Sequence, residues 1–136
     1  MTTFTPPCGL GMCTPKKPKR KPSTKPLERD IEKAIVKAFA LKHRITLFKT
    51  DTGGAGMRSG LSEGARRAYT GLPTGFPDLL GAIPGSGRVV VIECKRPGNK
   101  PTAAQEHWLA FFRAQGGIAL WADSVDSALK QFEEAA

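Results

Sequence analysis

Arg88-Val89-Val90-Val91-Ile92-Glu93-Cys94-Lys95 is a β-branched apolar run that closes on an acid, a thiol and a base. Its length and composition fit a buried strand. Upstream, Phe76-Pro77-Asp78-Leu79-Leu80 also sets an acid among apolar residues, and Pro84-Gly85-Ser86-Gly87 between the two stretches is a turn. Together they predict a β-hairpin with strands over 76–83 and 88–95. Pro77 restricts the first strand to a strand start or an edge. Side chains alternate along a strand, so Val89, Val91, Glu93 and Lys95 share one face and Val90, Ile92 and Cys94 share the other. Counting back from the turn places Asp78 roughly opposite Glu93. Two carboxylates this close repel unless one takes up a proton or a cation is shared between them.

The rest of the chain is read outward from the hairpin. Arg96-Pro97-Gly98-Asn99-Lys100-Pro101 is a loop, followed by a helix from about Thr102 to Gln115 that stops at Gly116-Gly117. Ile118 to Ala122 reads as a short buried strand, and Ser124 caps a last helix carrying Val125, Ala128, Leu129 and Phe132. On the N-terminal side, Leu27, Ile31, Ala34, Ile35, Ala38 and Phe39 form one helical stripe over 27–42, just behind Pro26. Residues 46–50 read as a strand around Leu47 and Phe48. The predicted order is αβββαβα, an α/β domain with one mixed sheet and flanking helices. The hairpin feeds a right-handed crossover through the Thr102 helix.

Length and charge bound the partners. A chain of 136 residues suggests one domain with one modest core. The net charge of +9 and pI of about 9.8 favour an anionic partner. That charge is uneven: residues 1–26 hold Lys16, Lys17, Lys19, Arg20, Lys21 and Lys25, six prolines and no acid. This composition predicts a disordered basic arm ahead of a folded domain over 27–136. It reads either as a solubilising tail or, favoured by the charge run, as a phosphate-binding arm. Residues 51–75 are glycine-rich and carry Arg58, Arg66 and Arg67, which can touch DNA backbone or line a solvated loop. Arg96 and Lys100 in the loop after the hairpin are further candidates for that backbone. Gly53-Gly54-Ala55-Gly56 lacks the Gly-Lys-Ser/Thr ending of a P-loop.

No run is long enough to span a membrane, and there is no apolar signal core, so a cytoplasmic setting is expected. Cys8, Cys13 and Cys94 do not make a disulfide framework, and Cys8 and Cys13 lack further ligands for structural zinc.

The hairpin acids carry the chemistry. Asp78 and Glu93 offer hard oxygen ligands suited to Mg2+ or Mn2+, and the Cys94 carbonyl offers a third. Lys95 can position a water and stabilise negative charge. Phosphodiester hydrolysis needs those elements held in line. A Glu-x-Lys pair alone is an ordinary surface feature; Asp78 on the partner strand is what raises the pattern above that. Thr102-x-x-Gln105 has the capping-box spacing, yet Gln105 also shares a helix face with Trp108, Leu109 and Phe112. Trp108, Phe111, Phe112 and Trp121 read as core or dimer contacts. His43 and His107, without companion ligands, read as surface or packing residues.

Three motifs occur in order: Gly75-Phe76-Pro77-Asp78-Leu79, Val91-Ile92-Glu93-Cys94-Lys95 and Thr102-Ala103-Ala104-Gln105. Together with Gly116-Gly117-Ile118-Ala119 and the closing Asp123-Ser124 helix, they resemble the VRR-NUC family of the PD-(D/E)XK nuclease superfamily. The likeness covers about residues 27–130. It implies a restriction-endonuclease-like fold and metal-dependent DNA cleavage, with small members resembling Holliday-junction resolving enzymes. It also implies a glutamate on the first helix and a glutamine near the active site. Glu28 falls inside the arc of Ile31, Ile35 and Phe39, whereas Glu32 falls at its edge. Glu28 is therefore the preferred metal-site carboxylate, with Glu32 the alternative, and Gln105 matches the glutamine.

The resulting expectation is a Mg2+- or Mn2+-dependent endonuclease acting on DNA, in branched forms such as four-way junctions. Glu28, Asp78 and Glu93 bind metal, and Lys95 and Gln105 complete the site. Since one site cuts one strand, a symmetric homodimer is the simple way to cut two. A non-catalytic DNA-binding module, or a nuclease subunit dependent on a helicase or repair partner, are the competing readings.

Overall fold

Ile31, Ile35 and Phe39 recur at helical spacing, and all three are buried, which fixes the inward face of the first helix. The structure, a computed structural model, describes residues 26–50 and 72–136. The basic residues of the N-terminal arm and Arg58, Arg66 and Arg67 lie outside those residues. The elements are α1 (Glu28–His43), β1 (Leu47–Lys49), β2 (Leu79–Ala82), β3 (Val89–Cys94), α2 (Ala103–Ala114), β4 (Ile118–Ala122) and α3 (Val125–Ala135). This is the αβββαβα order expected from the sequence.

The four strands form one mixed sheet in the order β1-β2-β3-β4. β1 and β3 both run antiparallel to β2, and β4 returns parallel to β3 through α2. Alternation along β3 divides the core as predicted. Val90, Ile92 and Cys94 pack with Ile31, Ile35 and Phe39 of α1 and Ala128 and Phe132 of α3. Val91, on the opposite face, packs with Leu109 of α2 and Ala119 of β4, with Phe112 and Trp121 against them. His43 is a packing residue: its ring lies 4.8 Å from that of Phe132, which meets Phe39 edge-on at 5.2 Å.

Two strands are shorter than the sequence suggested. β2 starts at Leu79 rather than at residue 76. Pro77 has no N–H for the ladder, Phe76 N–H turns back to the Pro73 carbonyl, and the Asp78 carbonyl accepts from Thr50 N–H at 2.8 Å. β1 likewise keeps only Leu47–Lys49 of the 46–50 stretch.

β4 is an edge strand whose outer carbonyls are already occupied. Arg113 Nε donates to the Ala119 carbonyl at 2.8 Å and Gln131 Nε2 to the Trp121 carbonyl at 2.9 Å. Such side-chain capping blunts strand addition at that edge. Phe39 of α1, fully buried against Phe132 of α3, is a main apolar anchor of its face. Phe39→Ala is expected to cost about 3–5 kcal/mol of stability, read as a lowered urea midpoint at an unchanged slope.

Candidate active site

The chain brings its carboxylates together by register. Leu79 pairs with Ile92, so Asp78 and Glu93 stand opposite each other one step further along the hairpin. The segment entering β2 passes tightly over the start of α2. Gly75, at φ +80°, lies so close that an added Cβ would meet Ala104 Cβ at 2.7 Å. A side chain there would push the Phe76-Pro77-Asp78 turn away from Gln105. Thr50 at the end of β1 holds the same turn from the other side, its hydroxyl donating to the Pro77 carbonyl and its N–H to the Asp78 carbonyl.

Glu93 is fully buried, the one charged residue in that state among the described residues. Its Oε1 accepts from Lys95 Nζ at 2.6 Å and from Gln105 Nε2 at 2.5 Å. Its Oε2 is buried and has no hydrogen-bond partner. Asp78 Oδ2 accepts from the Cys94 N–H at 2.9 Å. Glu28, from the first turn of α1, brings Oε1 to 3.6 Å from Lys95 Nζ. One oxygen each from Glu28, Asp78 and Glu93 lie within 4.8 Å of one another. Glu32 instead pairs with Lys49 Nζ at 2.9 Å.

Gln105 bonds in two directions, to the helix start and to Glu93. Its Oε1 accepts from the Thr102 N–H at 2.8 Å, and its own N–H reaches the Thr102 hydroxyl, closing a capping box. The amide nitrogen is thereby left pointing at Glu93. Starting α2 and orienting the buried carboxylate are one act of one side chain.

The electrostatics follow from crowding. Burial pushes the Glu93 pKa up to about 7, against the pull of Lys95 and with the help of Asp78. Burial also raises Asp78, opposed by the Cys94 N–H and reinforced by the nearby Glu32 charge. Burial works against charge on Lys95, but Glu93, Glu28 and Asp78 outweigh it and hold its pKa above the ordinary lysine value. Burial and the surrounding acids drive the Cys94 thiol well above its usual range, so its side chain is an inert core group. Three convergent hard oxygens, one of them on a buried carboxylate with an unpartnered atom, suit a divalent cation such as Mg2+ or Mn2+.

The sequence-predicted residues Glu28, Asp78, Glu93, Lys95 and Gln105 thus converge on one end of the sheet. Cys94 contributes its N–H to Asp78. Arg96 is half-buried and Lys100 exposed in the loop between β3 and α2, next to this end. Thr50 was missed: its tie to Pro77 joins residues 27 apart in sequence, and no local pattern announces it. The aromatic group around α2 is a packing layer, with Phe76 meeting Trp108 and Phe112 at 5.5 and 5.7 Å and Trp108 Nε1 donating to the Thr74 carbonyl.

Comparison with known protein families matches the VRR-NUC domain over residues 28–126. The chain belongs to the VRR-NUC family. No curated protein and no solved structure gives a match. As a VRR-NUC protein it carries a nuclease-type domain of the PD-(D/E)XK superfamily, with the mixed sheet and flanking helices of the restriction-endonuclease-like fold. No helix among the described residues is long and apolar enough to cross a membrane.

The raised Glu93 pKa has a definite sign in stability. An acid whose folded pKa lies above its unfolded value favours folding when protonated, so stability is lost as pH rises from 4.5 to about 7. Asp78 acts in the same direction. Urea unfolding in EDTA should show the protein weakening across that window, and Glu93→Gln should flatten the slope.

Proposed function

We propose that this VRR-NUC domain is a divalent-metal-dependent DNA endonuclease with Glu28, Asp78 and Glu93 as its metal-holding carboxylates. The observation that carries the reading is the buried Glu93 carboxylate. One of its oxygens is held by Lys95 and Gln105 while the other is unpartnered and faces no donor among the described residues. A buried charge with an unsatisfied oxygen is costly to keep, and a cation shared with Asp78 and Glu28 removes that cost.

When bound, the cation supplies neutralisation of charge developing on the phosphate and lowers the proton affinity of an adjacent water. The chain's own residues do the rest. Asp78, held by the Cys94 N–H, keeps a fixed orientation. Gln105 fixes the Glu93 carboxylate through Oε1. Lys95, charged because three acids surround it, positions the attacking water and offsets negative charge on the phosphate. In hydrolysis the water oxygen forms the new bond to phosphorus and its proton passes to solvent, while the bond from phosphorus to the leaving oxygen breaks and that oxygen takes a proton from solvent. The Cys94 carbonyl is proposed as a further ligand.

For substrate, we propose branched DNA. Lys16, Lys17, Lys19, Arg20 and Lys21 of a basic arm over 1–26, with Arg58, Arg66, Arg67, Arg96 and Lys100, would hold the backbone around a nuclease domain over 27–136. A homodimer would place two such sites about a two-fold axis, matching a four-way junction. Because the outer edge of β4 is capped, that dimer would not form by continuing the sheet there. The intact Asp78, Glu93 and Lys95 favour catalysis over a purely binding role.

Labelled four-way junction, flap and linear duplex incubated with Mg2+, Mn2+ or EDTA test this reading. Paired symmetric cuts in the junction, absent in EDTA and with Glu93→Ala, are expected. Lys95→Ala should slow cleavage by about 10²–10³-fold, the scale of a lost charge-stabilising group, with DNA binding retained. Equal cutting of all three DNAs would keep the chemistry and remove the junction preference. Binding without cutting under every metal would support a binding module or a partner-dependent subunit.

A further inference from the structure

Of the three carboxylates, Glu28 alone comes from a helix rather than the hairpin, so its place in the site depends on how α1 is held. The first turn of that helix carries the acids Glu28 and Asp30, which suit its dipole, but nothing caps it. Its N-cap position is Leu27, which offers no side-chain cap. One turn later, however, Glu32 is nearly buried, 12% exposed at its side chain, and reaches across to Lys49 Nζ at 2.9 Å.

Lys49 is the last residue of β1. It pairs with Leu79, the neighbour of Asp78. The next residue, Thr50, bonds the carbonyls of both Pro77 and Asp78. The frame that carries Asp78 therefore extends through Thr50 and Lys49 to Glu32, and through one helical turn to Glu28. Glu32 also lies near enough to Asp78 for its charge to act on it, which places the pair beside the site.

We propose that Glu32 and Lys49 are a positioning pair that clamps the first turns of α1 to the Asp78 frame, so that Glu28 completes the metal site. The inference rests on the metal-binding reading above. It assigns Glu32 a role other than ligand and gives Lys49 a role that no motif suggested. Paired residues that orient ligands are worth measurable metal affinity even though they touch no metal. An exposed ion pair with no such role would contribute little to anything.

The test is Mn2+ binding by calorimetry on the full chain without DNA, with circular dichroism confirming that each variant is folded. Lys49→Met keeps the apolar stem and removes the charge; it should weaken Mn2+ binding by about tenfold, the scale of lost outer-shell support. Lys49→Arg should retain affinity. The charge swap Glu32→Lys with Lys49→Glu should restore it to within about twofold, and this arm answers the question even if Lys49→Met does not fold. In a Glu28→Gln background, Lys49→Met should cause no further loss, because the ligand that it positions is already gone. Unchanged affinity in folded Lys49→Met, an equal loss with or without Glu28, or a swap that fails to restore binding would overturn the clamp. Mn2+ binding that ignores Asp78→Asn and Glu93→Gln in the wild-type background would overturn the metal-site reading itself, and the clamp with it.

Discussion

Burying the Glu93 carboxylate at the end of β3 costs free energy that only a matched set of partners can offset, and the surrounding structure supplies partners from two directions. Lys95 comes from just beyond the end of β3 and Gln105 from the start of α2, while Asp78, set opposite by the hairpin register, adds a second negative charge that works against them. The match is incomplete by one oxygen, Oε2. With burial outweighing Lys95, the pKa of Glu93 is near neutrality, within reach of either a proton or a cation. On the proposed reading, a site so poised would bind metal in competition with protons.

The fold serves that arrangement. The antiparallel hairpin sets Asp78 against Glu93, and the parallel return through α2 puts a helix start beside them. Gly75 permits the close crossing over Ala104 that brings turn and helix together. α1 crosses the other face of the sheet and delivers Glu28 from its first turn. The two apolar clusters lie behind this end on opposite faces of the sheet, so its geometry rests on packed layers rather than on a free loop.

Much of this was legible because it is local. Val89 to Ile92 followed by Glu93 and Lys95 announces a buried strand with charges at its end, and a four-residue turn fixes what lies opposite. The family resemblance asked for a glutamate on the first helix and helical spacing preferred Glu28 to Glu32; an oxygen of Glu28 lies within 4.8 Å of oxygens of Asp78 and Glu93. Thr102-x-x-Gln105 spacing predicted a cap and the family resemblance made Gln105 a site candidate; the two ends of its amide point different ways, one to the Thr102 N–H and one to Glu93. What sequence could not give is tertiary. Thr50 and Lys49 matter through contacts to residues far along the chain. The first hairpin strand begins at Leu79 because Pro77 has no N–H for the ladder and the Phe76 N–H turns back to the Pro73 carbonyl, whereas composition alone extended it back to Phe76. The N-terminal arm and the arginines of 51–71 fall outside the described residues, so their expected contacts with DNA stand as proposals.

Titrating the Glu93 side-chain carboxyl by carbon-detected NMR, with and without Mg2+, tests the central claim most directly. A carboxyl that titrates near 7 without metal, and whose apparent pKa falls as Mg2+ is added, would show a buried acid that exchanges its proton for a cation. A carboxyl that titrates near the ordinary 4.5 and ignores Mg2+ would contradict the account.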